Sequence, residues 1–188
     1  MLEKRKQRLK TALNDSDVGV RFAAADSLEK LESALALEQI IAVLKGDAHG
    51  RRVQAVYALE RVNSAQICPP LLLALEDSAA DLRAAAVQVL GRKRNLKVLP
   101  QLIKHLKDPS PAVRVHVAEA LGKFADRRLV PYLAAILKDP DAELVKSAIQ
   151  SLGVLGAPEA EDHLLAMLDD PRPAIRREAA SALGQLEI

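Results

Sequence analysis

His116 and Glu119 are the one pair of side chains in this sequence whose types and spacing suit acid–base chemistry. They stand three residues apart, so on a helix they share a face, and a carboxylate beside an imidazole can orient it and hold its proton. Such pairs are also common on helix surfaces, which is the interpretation we favour. The other histidines occupy unrelated positions of the chain: His49, His105 and His163. We therefore predict no catalytic residue and no enzyme activity.

Patterns for a metal, a cofactor or a covalent intermediate are also missing from the sequence. Cys68 is the single cysteine, which excludes an intrachain disulfide and a cysteine-rich zinc site. It lies in ICPPLL, and steps of 31 residues from it reach Leu37, Leu99 and Val130, so we expect a core residue. There is no P-loop, no dinucleotide-binding glycine motif and no nucleophile elbow. We expect neither a metal nor a cofactor.

A period of 31 residues organises the whole chain, and it sets the elements on which these side chains lie. We call the six equivalent positions of the period the marker positions: Arg21, Arg52, Arg83, Arg114, Val145 and Arg176. A leucine stands seven residues after every marker: Leu28, Leu59, Leu90, Leu121, Leu152 and Leu183. Another stands eight residues before every marker: Leu13, Leu44, Leu75, Leu106, Leu137 and Leu168. A small apolar residue, usually alanine, follows each marker by three, and we expect it to let neighbouring copies pack closely.

Each copy reads as two helices joined by a turn. In KDPSPAVRVHVAEALGKF, residues 107–124, Pro109 ends the first helix, Ser110 is a plausible N-cap and Pro111 takes the first helical position. Apolar residues then recur with helical spacing up to Phe124. We expect the second helices of the later copies to end near Gly122, Gly153 and Gly184. Glu29 and Glu60 replace that glycine in the first two copies, so their second helices should run on longer.

These helix pairs predict an all-α fold, because each pair has two apolar faces and can bury both only by stacking on its neighbours. We predict an α-solenoid, a right-handed superhelix of six helix–turn–helix repeats forming a single domain over 1–188. The approximate repeats are 8–38, 39–69, 70–100, 101–131, 132–162 and 163–188, after a capping segment at 1–7.

The recurring string DPxPxVRxxAxxALG resembles the short HEAT-like repeats, also called the phycobilisome-lyase type, over about residues 8–186. The resemblance implies scaffold, adaptor or lyase-subunit roles, with the second helices lining a concave surface. It is specific for fold and says little about function.

An aspartate stands six residues before the marker arginine in four copies: Asp15 and Arg21, Asp77 and Arg83, Asp108 and Arg114, Asp170 and Arg176. The resemblance implies that these residues form a ladder that ties neighbouring turns together. A row of arginines could instead bind anions, but its regular recurrence favours a structural role. Gly46 and Val145 replace one member of the pair, so we expect the ladder to be interrupted at both.

The positions of the second helix that vary between copies are the candidates for partner binding, since they share a face opposite the core stripe. The candidate lining is Phe22, Asp26, Lys30, Gln54, Tyr57, Arg61, Gln88, Arg92, His116, Glu119, Lys123, Gln150, Arg177 and Glu178. Phe22 and Tyr57 are candidate anchors, although either could pack inside the fold. A basic row, Lys30, Arg61, Arg92 and Lys123, follows one rim and is thickened by 91–97, Arg127 and Arg128. Its alternative interpretation is solvated loop charge.

The charge balance bears on the partner. The net charge is only +2, with 16 basic and 12 acidic residues in 1–100 against 11 and 13 in 101–188. We predict a non-catalytic scaffold that binds a protein or peptide, acidic if the basic row takes part. The alternatives are a bilin lyase or isomerase subunit, which the resemblance suggests, and nucleic-acid binding along the basic rim. The near-neutral charge and the lack of an aromatic row argue against nucleic acid.

The sequence contains neither a membrane-spanning segment nor a secretory signal. No apolar run approaches the ~20 residues of a membrane helix, and no apolar region follows the basic start at 1–16. We expect a cytoplasmic protein without membrane contact, either monomeric or self-associating end to end.

Overall fold

The computed structural model describes residues 1–46, 48–62 and 65–186, so the end of the sixth predicted repeat, at 187–188, lies outside the described residues. Over these residues the chain forms eleven α-helices and no strand. They are α1 (Leu2–Ala12), α2 (Val18–Leu44), α3 (His49–Leu59), α4 (Cys68–Leu75), α5 (Ala80–Lys93), α6 (Leu99–Lys104), α7 (Pro111–Gly122), α8 (Val130–Ala135), α9 (Ala142–Leu155), α10 (Glu161–Ala166) and α11 (Pro173–Leu183). Packing divides the chain into two compact units, Met1–Ile67 and Cys68–Ile188.

Four helix pairs build the second unit. The short helices α4, α6, α8 and α10 pack on α5, α7, α9 and α11, respectively. The second helices also pack on one another, α5 on α7, α7 on α9 and α9 on α11. This is the stacked arrangement that the 31-residue period predicts. Of the repeated leucines, Leu90, Leu121 and Leu152 are fully buried, whereas Leu168 and Leu183 of the last copy are half-buried.

The turn between the two helices of a pair depends on the repeated aspartate. The Asp108 carboxylate accepts a hydrogen bond from the Ser110 N–H at 2.8 Å, as Asp139 does from the Asp141 N–H at 2.8 Å. Ser110 is the N-cap of α7, as predicted, but its side chain makes no capping bond. The aspartate two residues earlier orders the turn in its place. Asp139 makes this bond although the marker position of its copy is Val145 rather than an arginine. The role of the aspartate in the turn therefore does not depend on a marker arginine in the same copy.

The repeated glycine of the later copies marks a close helix contact. A Cβ on Gly122 would lie 2.6 Å from Ser151 Oγ and 2.9 Å from Ser151 Cα. Gly91 and Gly153 approach Ala120 and Ala182 in the same way. The close approach that we assigned to the small residue after the marker therefore also needs this glycine. Ser151 adds a 2.8 Å hydrogen bond from its hydroxyl to the Ala118 carbonyl on α7.

The ends of the second helices differ from copy to copy. Gly122 ends α7 and Gly184 is the C-cap of α11, as predicted. The prediction for Gly153 was wrong, because α9 runs on to Leu155 and stops where Gly156 takes a left-handed φ of 63°. Gly153 lies inside α9, where a Cβ would come within 3.0 Å of Ala182 of α11.

In the first unit α2 is one continuous helix of 27 residues, which spans two predicted repeats. The longer second helix expected from Glu29 is thus confirmed, but the same expectation for Glu60 was wrong, since α3 ends at Leu59. The physical reason for the long helix is the segment 30–38, KLESALALE, which has no Gly or Pro. The first helices of later copies begin with a proline, as at Pro100 and Pro131, where the second copy has Glu38. The other two helices of this unit, α1 and α3, both pack on α2.

Candidate binding surfaces

The second helices of the second unit carry a connected set of polar side chains on the predicted face. The Gln88 amide donates from Nε2 to His116 Nε2 at 3.1 Å, which joins α5 to α7. His116 then donates from Nδ1 to Glu119 Oε2 at 3.0 Å. Both ring nitrogens of His116 are engaged in this arrangement. The three side chains are fixed in place, although Gln88 and His116 are half-buried and Glu119 is exposed.

An open cleft of about 250 Å³ lies beside this set, between α7 and α9. Gly122 and Ser151 form its floor, because the two helices approach closely there. Glu119, Lys123 and Gln150 line it together with Val154. The cleft thus offers a carboxylate, an ammonium, an amide and an apolar contact within one small space. Arg92 and Arg177, also predicted to line this face, are exposed, and Glu178 is half-buried.

The first unit carries the predicted aromatic residues. Phe22 on α2 is 78% exposed, and Tyr57 on α3 is 38% exposed. Lys30 pairs with Asp26 one helical turn away, at 2.6 Å, while Arg61 is exposed after the end of α3. Gln54 lines a mostly apolar cleft of about 390 Å³ between α2 and α3, with Ile40 and Val43 opposite.

Four of the marker arginines contact the turn of their own copy. Arg83 Nη1 donates to the carbonyls of Asp77 at 2.9 Å and Ser78 at 3.1 Å. Three more marker arginines bond the carbonyl six residues before them, at 2.7 to 3.0 Å: Arg21 to Asp15, Arg114 to Asp108 and Arg176 to Asp170. The contact closes the turn that leads into the second helix.

Arg83 also reaches into the next copy. Its Nε and Nη2 atoms donate to the two carboxylate oxygens of Asp108 at 2.8 and 2.7 Å, so the pair is bidentate. The side chains are only 11% and 3% exposed. Burial alone would raise the pKa of Asp108, but the bonds from Arg83 and the Ser110 N–H outweigh it and hold that pKa below its usual value. Arg114 makes a looser contact with the next copy, 3.7 Å to Asp141.

The marker position of the copy before Asp170 is Val145, so that copy supplies no marker arginine to bind Asp170. Asp170 pairs with Arg172 of its own copy instead, at 2.9 Å. Hydrogen bonds from Arg172 lower the pKa of Asp170 from 3.8 to about 2. A carboxyl whose pKa is lowered on folding contributes stability above its unfolded pKa and loses it as the pH falls through the folded pKa.

We therefore expect the free energy of unfolding to fall as the pH is lowered from about 4 to about 2, and to fall less in Asp170→Asn. Urea denaturation followed by circular dichroism at a series of pH values measures this. Asp169→Asn is the matched control, since Asp169 is exposed and adjacent. An Asp170→Asn profile that parallels that of the unmodified chain would contradict the assignment.

Sequence reasoning missed a third cleft, between α6 and α8 on the first helices. Leu96 and Tyr132, which line it, are 53% and 46% exposed. The signal was present in the sequence, since Tyr132 is an aromatic residue where neighbouring copies carry Gln101 and His163. The predicted binding positions all lie on or directly after the second helices, so they do not include Leu96 or Tyr132.

Among residues 1–46, 48–62 and 65–186, no group of three or more His, Cys, Asp or Glu side chains is arranged to hold a metal ion. None of the helices in this part of the chain is long and apolar enough to cross a membrane.

The sequence profile of the family described as HEAT repeats matches residues 68–153 and 131–187. The chain belongs to the HEAT-repeat family. A search of curated proteins finds no match to this HEAT-repeat chain.

Solved structures show what the HEAT-repeat chain is similar to in three dimensions. A chain of the complex of CpcE and CpcF of phycocyanin lyase from Nostoc is 27% identical, with a TM-score of 0.69. The match covers 80% of the HEAT-repeat chain and 64% of the Nostoc chain, so it spans less than two thirds of that relative.

Two more distant structures share the fold alone. The Escherichia coli protein YIBA is 22% identical, with a TM-score of 0.65, and the match covers 97% of this chain and 72% of that one. A designed armadillo repeat protein in complex with the peptide (KR)4 is 18% identical, with a TM-score of 0.62, and 99% of each chain is covered. The predicted fold class, an all-α solenoid of helical repeats, is confirmed.

Proposed function

We propose that this HEAT-repeat chain is a non-catalytic binding module that holds a segment of a partner protein along the exposed face of its second helices. The observation that carries the proposal is the fixed set Gln88, His116 and Glu119 beside the cleft between α7 and α9. These positions vary between copies, so the scaffold does not require them.

The geometry of this face suits a peptide. Side chains that are already held by hydrogen bonds lose little conformational freedom on binding, which favours affinity. Glu119 and Gln150 can accept from peptide N–H groups, and Lys123 and Gln150 can donate to peptide carbonyls. Lys123 and Arg92 favour a segment with acidic residues at this rim. The fold supports the same use, since a designed repeat protein of this fold has been solved with a peptide bound.

Engagement of both His116 nitrogens supports a binding role for that pair rather than proton transfer. A general base needs a free lone pair within reach of the proton it removes, and Gln88 occupies the one on Nε2. We expect no turnover by the isolated chain.

Affinity capture from a nuclease-treated lysate of the native source tests the proposal, with bound proteins quantified by mass spectrometry. We compare the unmodified chain with Lys123→Glu combined with Gln150→Glu, which reverses the charge and adds a carboxylate at the cleft. Lys138→Glu is the control, because Lys138 is exposed and lies outside the cleft. We expect a partner that the control retains and the cleft variant loses, by about tenfold or more in apparent affinity.

Equal retention by all the chains, or capture of no protein by any of them, would remove the cleft between α7 and α9 from consideration. Circular dichroism of both variants ensures that a loss of capture is not a loss of fold.

A second candidate is a subunit of a bilin lyase or isomerase complex, which the 27% identity to a chain of the Nostoc phycocyanin lyase complex favours. Its test is the visible absorption spectrum of the chain after incubation with a bilin, alone and with the cell extract that supplies missing subunits. A red-shifted bilin band that copurifies with the chain would favour this function. A spectrum identical to that of free bilin in both arms would dismiss it.

A further inference from the structure

The cleft between α6 and α8 lies on the first helices, whereas the surface proposed above lies on the second helices. It has a volume of about 290 Å³, and Leu96, Pro100, Ile103 and Tyr132 give it an apolar lining. Asp126 and Arg128 stand at its edge. Two large apolar side chains at its mouth, Leu96 and Tyr132, remain about half exposed. A cavity of this size accepts one aliphatic or aromatic side chain from another molecule.

The apolar lining is peculiar to this place in the repeat. At the position of Leu96, one and two periods further on, stand Arg127 and Pro158. At the position of Tyr132, the neighbouring copies have Gln101 and His163. A scaffold requirement would recur with the period, as the buried leucines do. The exposed Leu96 and Tyr132 therefore need a reason other than packing.

Two basic loops flank the same cleft. The loops are 92–97, which ends α5 and leads into α6, and 123–128, which joins α7 to α8. Together they contain seven basic residues and one acidic residue, whereas the equivalent segment one period later, 154–159, contains one acidic residue and no basic one. Leu96 belongs to the first loop, and Asp126 and Arg128 to the second, so the charge adjoins the apolar lining directly.

The single acid of these loops is already bound. Asp126 accepts three hydrogen bonds from the Arg128 guanidinium, at 2.7 to 3.1 Å. Those bonds lower the pKa of Asp126, so it remains ionised and matched by its neighbour. Three basic side chains of the same loops, Arg94, Lys97 and Lys123, are exposed. The positive field beside the cleft is thus not cancelled within the loops.

We propose that the cleft between α6 and α8 and the loops 92–97 and 123–128 form one docking site for an acidic peptide segment of a partner protein, which places an aliphatic or aromatic side chain in the cleft. The apolar pocket supplies the anchor and the basic loops select the flanking charge. Peptide is favoured over nucleic acid because the cleft offers an apolar pocket and one aromatic ring, whereas single-stranded nucleic acid needs a row of stacking rings. The site shares Arg92 and Lys123 with the surface on the second helices, but Leu96, Tyr132, Arg94 and Lys97 belong to this site alone, so variants at these four residues test it separately.

The test is selection from a displayed library of random peptides against the immobilised full chain, followed by fluorescence anisotropy with the selected peptides. We expect the selected sequences to share a Leu, Ile, Phe, Tyr or Trp among Asp and Glu residues. Leu96→Ser and Tyr132→Ser should each weaken their binding about tenfold or more. Arg94→Glu combined with Lys97→Glu should weaken binding at low salt and flatten its dependence on salt concentration.

Matched controls keep the result specific. Leu165→Ser removes an apolar side chain on α10 that is 45% exposed, and Lys138→Glu reverses one exposed charge outside the loops. Both should bind the selected peptides as the unmodified chain does. The proposal is overturned if no peptide is enriched, if the enriched peptides lack acidic residues, or if the cleft variants bind them unchanged. Equal binding of a mixed-sequence single-stranded oligonucleotide, lost in the same variants, would also overturn it, in favour of a nucleic-acid surface.

Discussion

Asp108→Ala is expected to lower the free energy of unfolding by about 3 kcal/mol, towards the lower end of the range for breaking a buried ion pair. The substitution leaves the buried Arg83 guanidinium with two N–H groups that have lost their acceptor. It also removes the acceptor of the Ser110 N–H. The lower end applies because the pair forms a wall of an open cleft, where water can reach the freed donors. In a domain of this size the melting temperature should fall by roughly 10 °C.

Asp139→Ala separates the two contributions of Asp108. Asp139 makes the same bond to the backbone two residues ahead, at the same 2.8 Å, but no arginine of the preceding copy is bonded to it. We expect this variant to lose only about 1 kcal/mol, the value of a turn hydrogen bond. Urea denaturation of both variants measures the difference. If the two losses were equal, the contact between Arg83 and Asp108 would contribute nothing to stability, and the proposal that it ties two repeats together would fail.

The repeated elements of this fold could be predicted from the sequence because they obey the period. A leucine that is buried in one copy, such as Leu121, meets the same neighbours in the next, so its burial follows from counting. The Pro and Asp residues of the turns act through local backbone chemistry, which a short stretch of sequence contains in full. The helix pairs of the second unit were therefore predictable.

Deviations from the period depend on contacts that no single copy contains. The sequence around Gly153 reads as a helix end, but its glycine is needed where α9 meets Ala182 of α11, and the helix passes through it. Arg114 turns to Asp141 rather than to Asp139, a choice between two carboxylates that depends on the path of the side chain. Of these deviations, only the long helix α2 could have been recognised in the sequence. Glu38 stands where later copies have the proline that begins a new helix.

The candidate surface was predictable in its residues but not in its contacts. Spacing placed Gln88, His116 and Glu119 on one face, yet the bond between Gln88 and His116 joins two copies and needs the distance between α5 and α7. The cleft between α6 and α8 was missed because the variable positions were sought on the second helices alone. Leu96 begins a three-residue 3-10 helix between α5 and α6, where the spacing of an α-helix gives no guide to exposure.

Gly122→Ala tests how closely neighbouring repeats must pack, and we expect it to destabilise the chain by about 2 kcal/mol. Alanine favours an isolated helix over glycine by about 1 kcal/mol, so the intrinsic propensity predicts the opposite sign. The added Cβ would lie 2.7 Å from Ser151 Cβ and 2.9 Å from Ser151 Cα, and the latter is backbone that no rotamer change can move. α7 and α9 must separate, which also stretches the bond from Ser151 to the Ala118 carbonyl.

Gly184→Ala is the matched control, because Gly184 holds the same place in the last copy. A Cβ there meets only the Ser181 carbonyl, at 3.5 Å, and its φ of −71° suits alanine. We expect this variant to be as stable as the unmodified chain or slightly more stable, since nothing opposes the helix propensity. The free energies of unfolding of the two variants, from urea denaturation, should therefore change in opposite directions or differ by at least about 2 kcal/mol. Equal stability would mean that the helices yield without cost at Gly122, and that glycine recurs there for the helix end rather than for the contact between repeats.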